Sequence, residues 1–175
     1  MKKNQISEIF RIIEEYAKAY SKLEHLQKLQ DSEFPKHGDQ KTGIIGEFYI
    51  YQFLKGHKEL KYAAHGEPWD IEYVDDSGNQ IKIQVKTVLT GFSKTNTLSP
   101  IKKGWDYIYL LALDKNFHPI GFWINKYDEK LFNGREVIPS ARIKDPSNIR
   151  SEGSKIFDFT NNLFKELLKK LDEND

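Results

Sequence analysis

Apolar residues recur at steps of three and four between positions 6 and 29. Ile6, Ile9, Phe10, Ile13, Tyr16, Ala17, Tyr20, Leu23 and Leu26 form one stripe, the pattern of an amphipathic helix with one face on a core. Residues 31–41 mix Pro35, Gly38 and Asp39 with charge and read as a loop. A second helix is predicted over 42–55. There Ile44, Ile45, Phe48, Tyr49, Ile50, Tyr51, Phe53 and Leu54 leave little polar face, so the helix should be largely buried and should end at Gly56.

The period then changes. Strand-like runs at 60–64, 69–74 and 81–89, with Asp75, Asp76, Ser77, Gly78 and Asn79 as a turn between the last two, predict an antiparallel meander. Residues 107–113 are continuously apolar, as in a strand covered on both faces, and 120–124 add a further strand. Residues 91–104 are polar and read as a loop or one short helix. Residues 128–132 suit one helical turn, and 134–153 are loop-rich. Leu163, Phe164, Leu167, Leu168 and Leu171 stripe a C-terminal helix within 158–172.

Composition narrows this to one α/β domain over residues 1–175. The chain has 38% hydrophobic and 30% charged residues, enough for one ordinary core. It has no apolar run of membrane-spanning length and no apolar signal core, so a soluble, cytoplasmic protein with no membrane partner is expected. With no cysteine, disulfides, thiolate metal sites and a cysteine nucleophile are excluded, so any metal must be held by oxygen or imidazole. The net charge of +1 gives no global pull toward polyanions. Nucleic-acid binding would have to come from local lysines.

Alternation places Asp70 and Glu72 on one face of the strand at 69–74, and Lys82, Gln84 and Lys86 together on the next. A two-residue loop at Ser77 and Gly78 would set Asp70 opposite Val85 and send the polar sets to opposite faces. A three-residue loop of Asp76, Ser77 and Gly78, with the glycine left-handed, sets Asp70 across from Gln84 with Lys86 diagonal. The position of Gly78 favours this second register. It gathers oxygen from Asp70, Gln84 and the Val85 carbonyl beside the Lys86 ammonium, a set suited to Mg²⁺. Glu47 shares its helix with apolar neighbours and needs a partner, which a metal would supply.

Pro68 and Asp70, then Gln84-Val85-Lys86 after a hairpin, preceded by the helical Glu47, resemble the PD-(D/E)XK nuclease superfamily over roughly 43–124. The resemblance implies a restriction-endonuclease-like fold, with a central mixed sheet flanked by helices and a catalytic core at 42–124. It also implies Asp70 as metal-binding aspartate, Gln84 in the acidic position, Lys86 as catalytic lysine and Glu47 as the helical acid. Two departures stand out: Trp69 separates Pro68 from Asp70, and Gln84 replaces a carboxylate, which should weaken metal binding. The expected activity is Mg²⁺-dependent cleavage of DNA to 5′-phosphate ends, with Mn²⁺ able to substitute, as in a restriction-type or mobile-element nuclease. A homodimer, with the helix at 1–30 as its element, would cut both strands; that helix suits a packed outer layer equally well. The contrasting expectations are a non-catalytic nucleic-acid-binding module and an RNA-cleaving nuclease.

Each residue also has a plainer role. Asp70, Gln84 and Lys86 could be the solvated face of a hairpin, and Glu47 could pair with a lysine. Glu72 reads better as a solvated strand glutamate than as a ligand. Ser93, Lys94, Lys102 and Lys103 are candidate phosphate contacts or an ordinary polar loop. The five histidines lack zinc-site spacing, and His65, just before Asp70, is the one within reach of the site.

Overall fold

The computed structural model describes residues 3–27, 41–90, 97–139, 141–142 and 161–174. Helix α1 (Lys3–Gln27) buries Ile6, Ile13 and Ala17. Its aromatic residues lock onto the rest of the chain, Phe10 against Phe48 and Tyr49, Tyr16 and Tyr20 against Phe117. It is therefore the packed outer layer that its stripe allowed. Helix α2 (Lys41–Phe53) is apolar nearly all round and ends before Gly56, whose φ of 103° only glycine takes without steric cost.

Five strands form the central sheet: β1 (Lys58–Tyr62), β2 (Ile71–Val74), β3 (Gln80–Leu89), and, after two short strands, β6 (Tyr107–Leu113) and β7 (Pro119–Lys126). Their order is β1-β2-β3-β6-β7. The first three make the expected antiparallel meander, β6 runs parallel to β3, and β7 returns antiparallel to β6. This is the expected α/β architecture with a mixed sheet flanked by helices.

Alternation along the strands sends side chains to two cores. Ile71, Ile83, Val85, Leu89, Tyr109, Leu111 and Phe122 face the helices, among them α3 (Phe164–Asn174), which inserts Leu167 and Leu171. Asn162 caps α3 by accepting the Phe164 amide and also takes the Phe122 amide of β7, both at 3.1 Å. Val88, Ile108, Leu110, Ala112 and Trp123 face the opposite way.

That second face is covered by structure the sequence pattern did not show. The short strands β4 (Thr97–Leu98) and β5 (Ile101–Lys102) pair with β9 (Ala141–Arg142) and β8 (Val137–Ile138). With the 3₁₀ turn Glu129–Phe132, capped by Asp128, they press Leu98, Ile101, Trp105 and Phe132 onto the sheet. Residues 97–104, expected as a loop or helix, are thus a strand-bearing cover.

Helix α2 lies unusually close to β3. A Cβ on Gly46 would overlap Thr87 Oγ1 and sit 2.9 Å from its Cβ and Cγ2. Thr87 is β-branched and cannot swing aside. Gly46→Ala should therefore push α2 outward, costing about 1–3 kcal/mol in denaturant unfolding and displacing its neighbour Glu47. An unchanged unfolding midpoint would show that the contact is loose.

Candidate active site

Ile71, Glu72, Tyr73 and Val74 pair with Ile83, Lys82, Ile81 and Gln80, the register of the three-residue loop. Gly78 has φ 84°, its amide donates to the Asp75 carbonyl at 3.0 Å, and the Asp75 amide donates to the Asn79 carbonyl at 2.9 Å. The Asp75 carboxylate holds the turn from inside, accepting the Ser77 amide at 2.9 Å and the Asn79 amide at 2.8 Å.

Continued one step, that register would pair Asp70 with Gln84. Instead β2 leaves β3 there, and the two side chains bond main-chain groups beside the opening, Asp70 the Val85 amide and Gln84 the Pro68 carbonyl. The Lys82 amide and carbonyl both bond Asp106, at 2.8 Å each, on the β6 side. By alternation the main-chain groups of Ile83 and Val85 point the other way, toward β2. Ile83 is met by the Asp70 amide at 2.8 Å. The next donor, the Val85 amide, finds no strand and is taken by Asp70 Oδ2 at 2.7 Å. The Val85 carbonyl leaves on the same edge as its amide and so opens into the same gap.

Gln84 and Lys86 project from the face opposite Val85. Gln84 is buried, and its Nε2 donates to the Pro68 carbonyl at 2.8 Å. A carbonyl can only accept, so the amide orientation is fixed by chemistry. Gln84 Oε1 is left buried without a hydrogen-bond partner, an acceptor in need of a donor or cation. Lys86 Nζ donates to Ser99 Oγ at 2.8 Å and to the Pro100 carbonyl at 3.2 Å. Those two anchors follow β4 and went unmarked in the sequence because nothing in a short polar segment shows which lysine it will fold against.

Glu47 comes from α2, placed by the Gly46 contact. Its carboxyl is pushed up to about 7, first by burial and then by the Asp70 charge, while Lys86 pulls it back. Burial raises Asp70 as well, against the Val85 hydrogen bond and the Lys86 charge. Burial likewise lowers Lys86 from the ordinary lysine range, with Asp70 and Glu47 opposing. Lys86 feels both carboxylates and each carboxylate feels Lys86, so the three groups occupy one neighbourhood. Glu47, Asp70 and Lys86 therefore gather where β2 and β3 part, with Val85 held to Asp70 and Gln84 held to Pro68 alongside them.

Glu72 does not join them. It is 8% exposed rather than solvated and is held by Lys61 Nζ at 2.9 Å, Trp69 Nε1 at 3.0 Å and Gln80 Nε2 at 3.0 Å. Lys103 is also committed: its ammonium pairs with Glu129 at 2.7 Å and Glu136 at 3.2 Å, which argues against the phosphate contact expected of it. Lys102 is exposed on β5, and His65 is exposed in the turn before Asp70. Ser93 and Lys94 lie outside the described residues.

No protein-family model matches the sequence, and no curated protein matches it significantly. Among solved structures the chain is similar to a bacterial homing endonuclease, at 18% identity and a TM-score of 0.36, over 62% of this chain and 79% of that one. Among the described residues no helix is long and apolar enough to cross a membrane.

Among the described residues no three of His, Cys, Asp and Glu are grouped to hold a metal. The two carboxylates of this candidate site would need an amide and a main-chain carbonyl to complete a ligand set. The donors nonetheless fit a hard cation. All are oxygens, one is a buried acceptor without a partner, and both carboxylates are raised chiefly by burial, a cost that a bound cation would offset.

Two measurable consequences follow from these environments. The Glu47 carboxyl has a folded value near 7 against an ordinary 4.5, so the native state holds its proton more tightly than the unfolded chain does. The stability this contributes is complete below pH 4.5 and is lost as pH rises through 7. In EDTA, Tm should fall across that window, and Glu47→Gln should flatten the fall; an unaltered profile in the variant would assign it elsewhere. Gln84→Glu adds a third carboxylate but turns an ionised oxygen on the Pro68 carbonyl. It should destabilise the metal-free protein by about 1–3 kcal/mol in urea unfolding, whereas a gain would show that the Pro68 bond does not matter.

Proposed function

We propose that this chain is a Mg²⁺-dependent endodeoxyribonuclease that hydrolyses phosphodiester bonds at the opening between β2 and β3. The observation that carries the proposal is that two largely buried carboxylates, Glu47 and Asp70, gather there with the half-buried Lys86, beside the buried Gln84 oxygen that has no hydrogen-bond partner.

Asp70, Gln84 Oε1, the Val85 carbonyl and Glu47 would hold the metal, and Mn²⁺ shares their ligand preferences. When bound, it supplies Lewis acidity toward a phosphoryl oxygen and lowers the pKa of water. Lys86, tilted toward its neutral form by burial and steadied by Ser99 and Pro100, takes or steers the proton of the attacking water. Its charged form instead offsets negative charge growing on the phosphoryl oxygens. Water oxygen bonds to phosphorus as the bond to the 3′-oxygen breaks, and the departing 3′-oxygen takes a proton from solvent, giving a 5′-phosphate and a 3′-hydroxyl. The Asp70 bond to the Val85 amide keeps its carboxylate from rotating out of the opening, so the donors are set before substrate arrives. Cutting both strands would take two copies of the chain.

The test is conversion of supercoiled plasmid to nicked and linear forms. Cleavage in Mg²⁺ or Mn²⁺ that stops in EDTA supports the proposal. DNA binding with no cleavage in either metal would replace it with a binding module, and cleavage of RNA alone would redirect it to RNA.

A further inference from the structure

The candidate site has an aromatic neighbour whose arrangement the hydrolytic role leaves unexplained. Tyr51 lies one helical turn beyond Glu47 on the same face of α2, and Tyr62 of the edge strand β1 stacks flat on it, with ring centroids 4.5 Å apart and 17° between planes. Tyr51 is itself anchored, its hydroxyl donating to the Leu60 carbonyl at 3.2 Å. Tyr62 is one position from Asp70 in the β1–β2 pairing: it pairs with Ile71, and the next amide, Ala63, donates to the Asp70 carbonyl at 2.9 Å.

Tyr62 is 47% exposed, and Ile44, one turn before Glu47 on α2, is 58% exposed. Packing alone would bury these side chains further, since a half-exposed ring forgoes much of the gain from burial. A ring with one face covered by a parallel neighbour has a single π-face left, and that face suits a planar group.

We infer that Tyr62, held by Tyr51, is a stacking platform for an unpaired nucleobase next to the scissile phosphate. This rests on the nuclease reading of Glu47, Asp70 and Lys86 and narrows its substrate. Bases inside a duplex have both faces covered by their neighbours, so only an extruded, overhanging or single-stranded base can reach Tyr62. The preferred DNA therefore has an unpaired nucleotide at the cut, and the ring positions the substrate without touching the reacting atoms.

The experiment compares wild type, Tyr62→Phe, Tyr62→Leu and Tyr62→Ala on two oligonucleotides, a full duplex and the same duplex with one unpaired 2-aminopurine. Binding is followed by fluorescence in Ca²⁺, which takes the same oxygen ligands, and Tm of each variant reports folding. Wild type and Tyr62→Phe should quench the 2-aminopurine. Tyr62→Leu and Tyr62→Ala should lose the quench and bind the unpaired substrate about 5- to 100-fold more weakly, with duplex affinity and Tm held. In cleavage, the loss should appear in KM for the unpaired substrate rather than in kcat. Equal quenching and affinity in Tyr62→Leu, with wild type still cutting plasmid, would overturn the platform and leave the nuclease standing. An equal loss on both substrates with a lowered Tm would show Tyr62 to be packing only. Failure of wild type to bind either DNA would overturn both proposals.

Discussion

Asp70→Asn should lower Mg²⁺-dependent cleavage at least about 10³-fold, several kcal/mol of transition-state stabilisation, while leaving the fold intact. The two effects separate because Asp70 does two things. Its Oδ2 closes the β3 edge by accepting the Val85 amide at 2.7 Å, and an asparagine oxygen can accept that bond equally well. Its charge cannot be replaced by an amide. The site already has an amide where a third carboxylate would sit, so a second neutral ligand would leave Glu47 alone to balance a divalent cation. Unfolding in urea should move by less than about 1 kcal/mol. A collapse of stability in Asp70→Asn, or activity within a few-fold of wild type, would contradict this division of roles.

Lys86→Ala should cost about 10²- to 10⁴-fold in kcat, the range for loss of a positioned proton-transfer group. Lys86→Arg should not restore it. The Lys86 ammonium is a compact group gripped by Ser99 Oγ and the Pro100 carbonyl, and burial tilts it toward giving up its proton. A guanidinium is larger, planar and always charged, so it neither fits that grip nor exchanges a proton. Comparable activity in Lys86→Arg would assign Lys86 a purely electrostatic part. The two single-turnover profiles against pH distinguish these outcomes.

Much of this site was legible in the chain because its register depends on one turn. Gly78 adopts the left-handed φ that a three-residue loop demands, and the Asp75 side chain stabilises the same turn. Those two local features decide which way the ten residues of β3 face relative to β2, and hence that Gln84 and Lys86 lie on the same side of the sheet as Glu72 rather than opposite it. The burial of α2 was legible for a similar reason: a helix apolar nearly all round has nowhere else to go.

What stayed hidden depended on tertiary partners. Strand β2 was expected from Trp69 but begins at Ile71, because the Asp70 carboxylate replaces a main-chain acceptor on the β3 edge. No alternation pattern encodes that exchange. The cover formed by β4, β5, β8 and β9 consists of two-residue strands, too short for a period of two to show. The lysines divide in the same way. Lys86 and Lys103 look alike in sequence, yet one is tucked beside Asp70 and Glu47 and the other is neutralised by Glu129 and Glu136. Glu72 looked solvated because its partners Lys61, Trp69 and Gln80 come from three different segments.

The most direct measurement is a crystal grown with Mn²⁺, read through its anomalous scattering. One strong peak is expected at the parting of β2 and β3, in contact with the Asp70 carboxylate, Gln84 Oε1 and the Val85 carbonyl, with Glu47 on its helical side. A Mn²⁺ peak bound only elsewhere, or an electron-density map in which Asp70 is turned out of that opening, would contradict it.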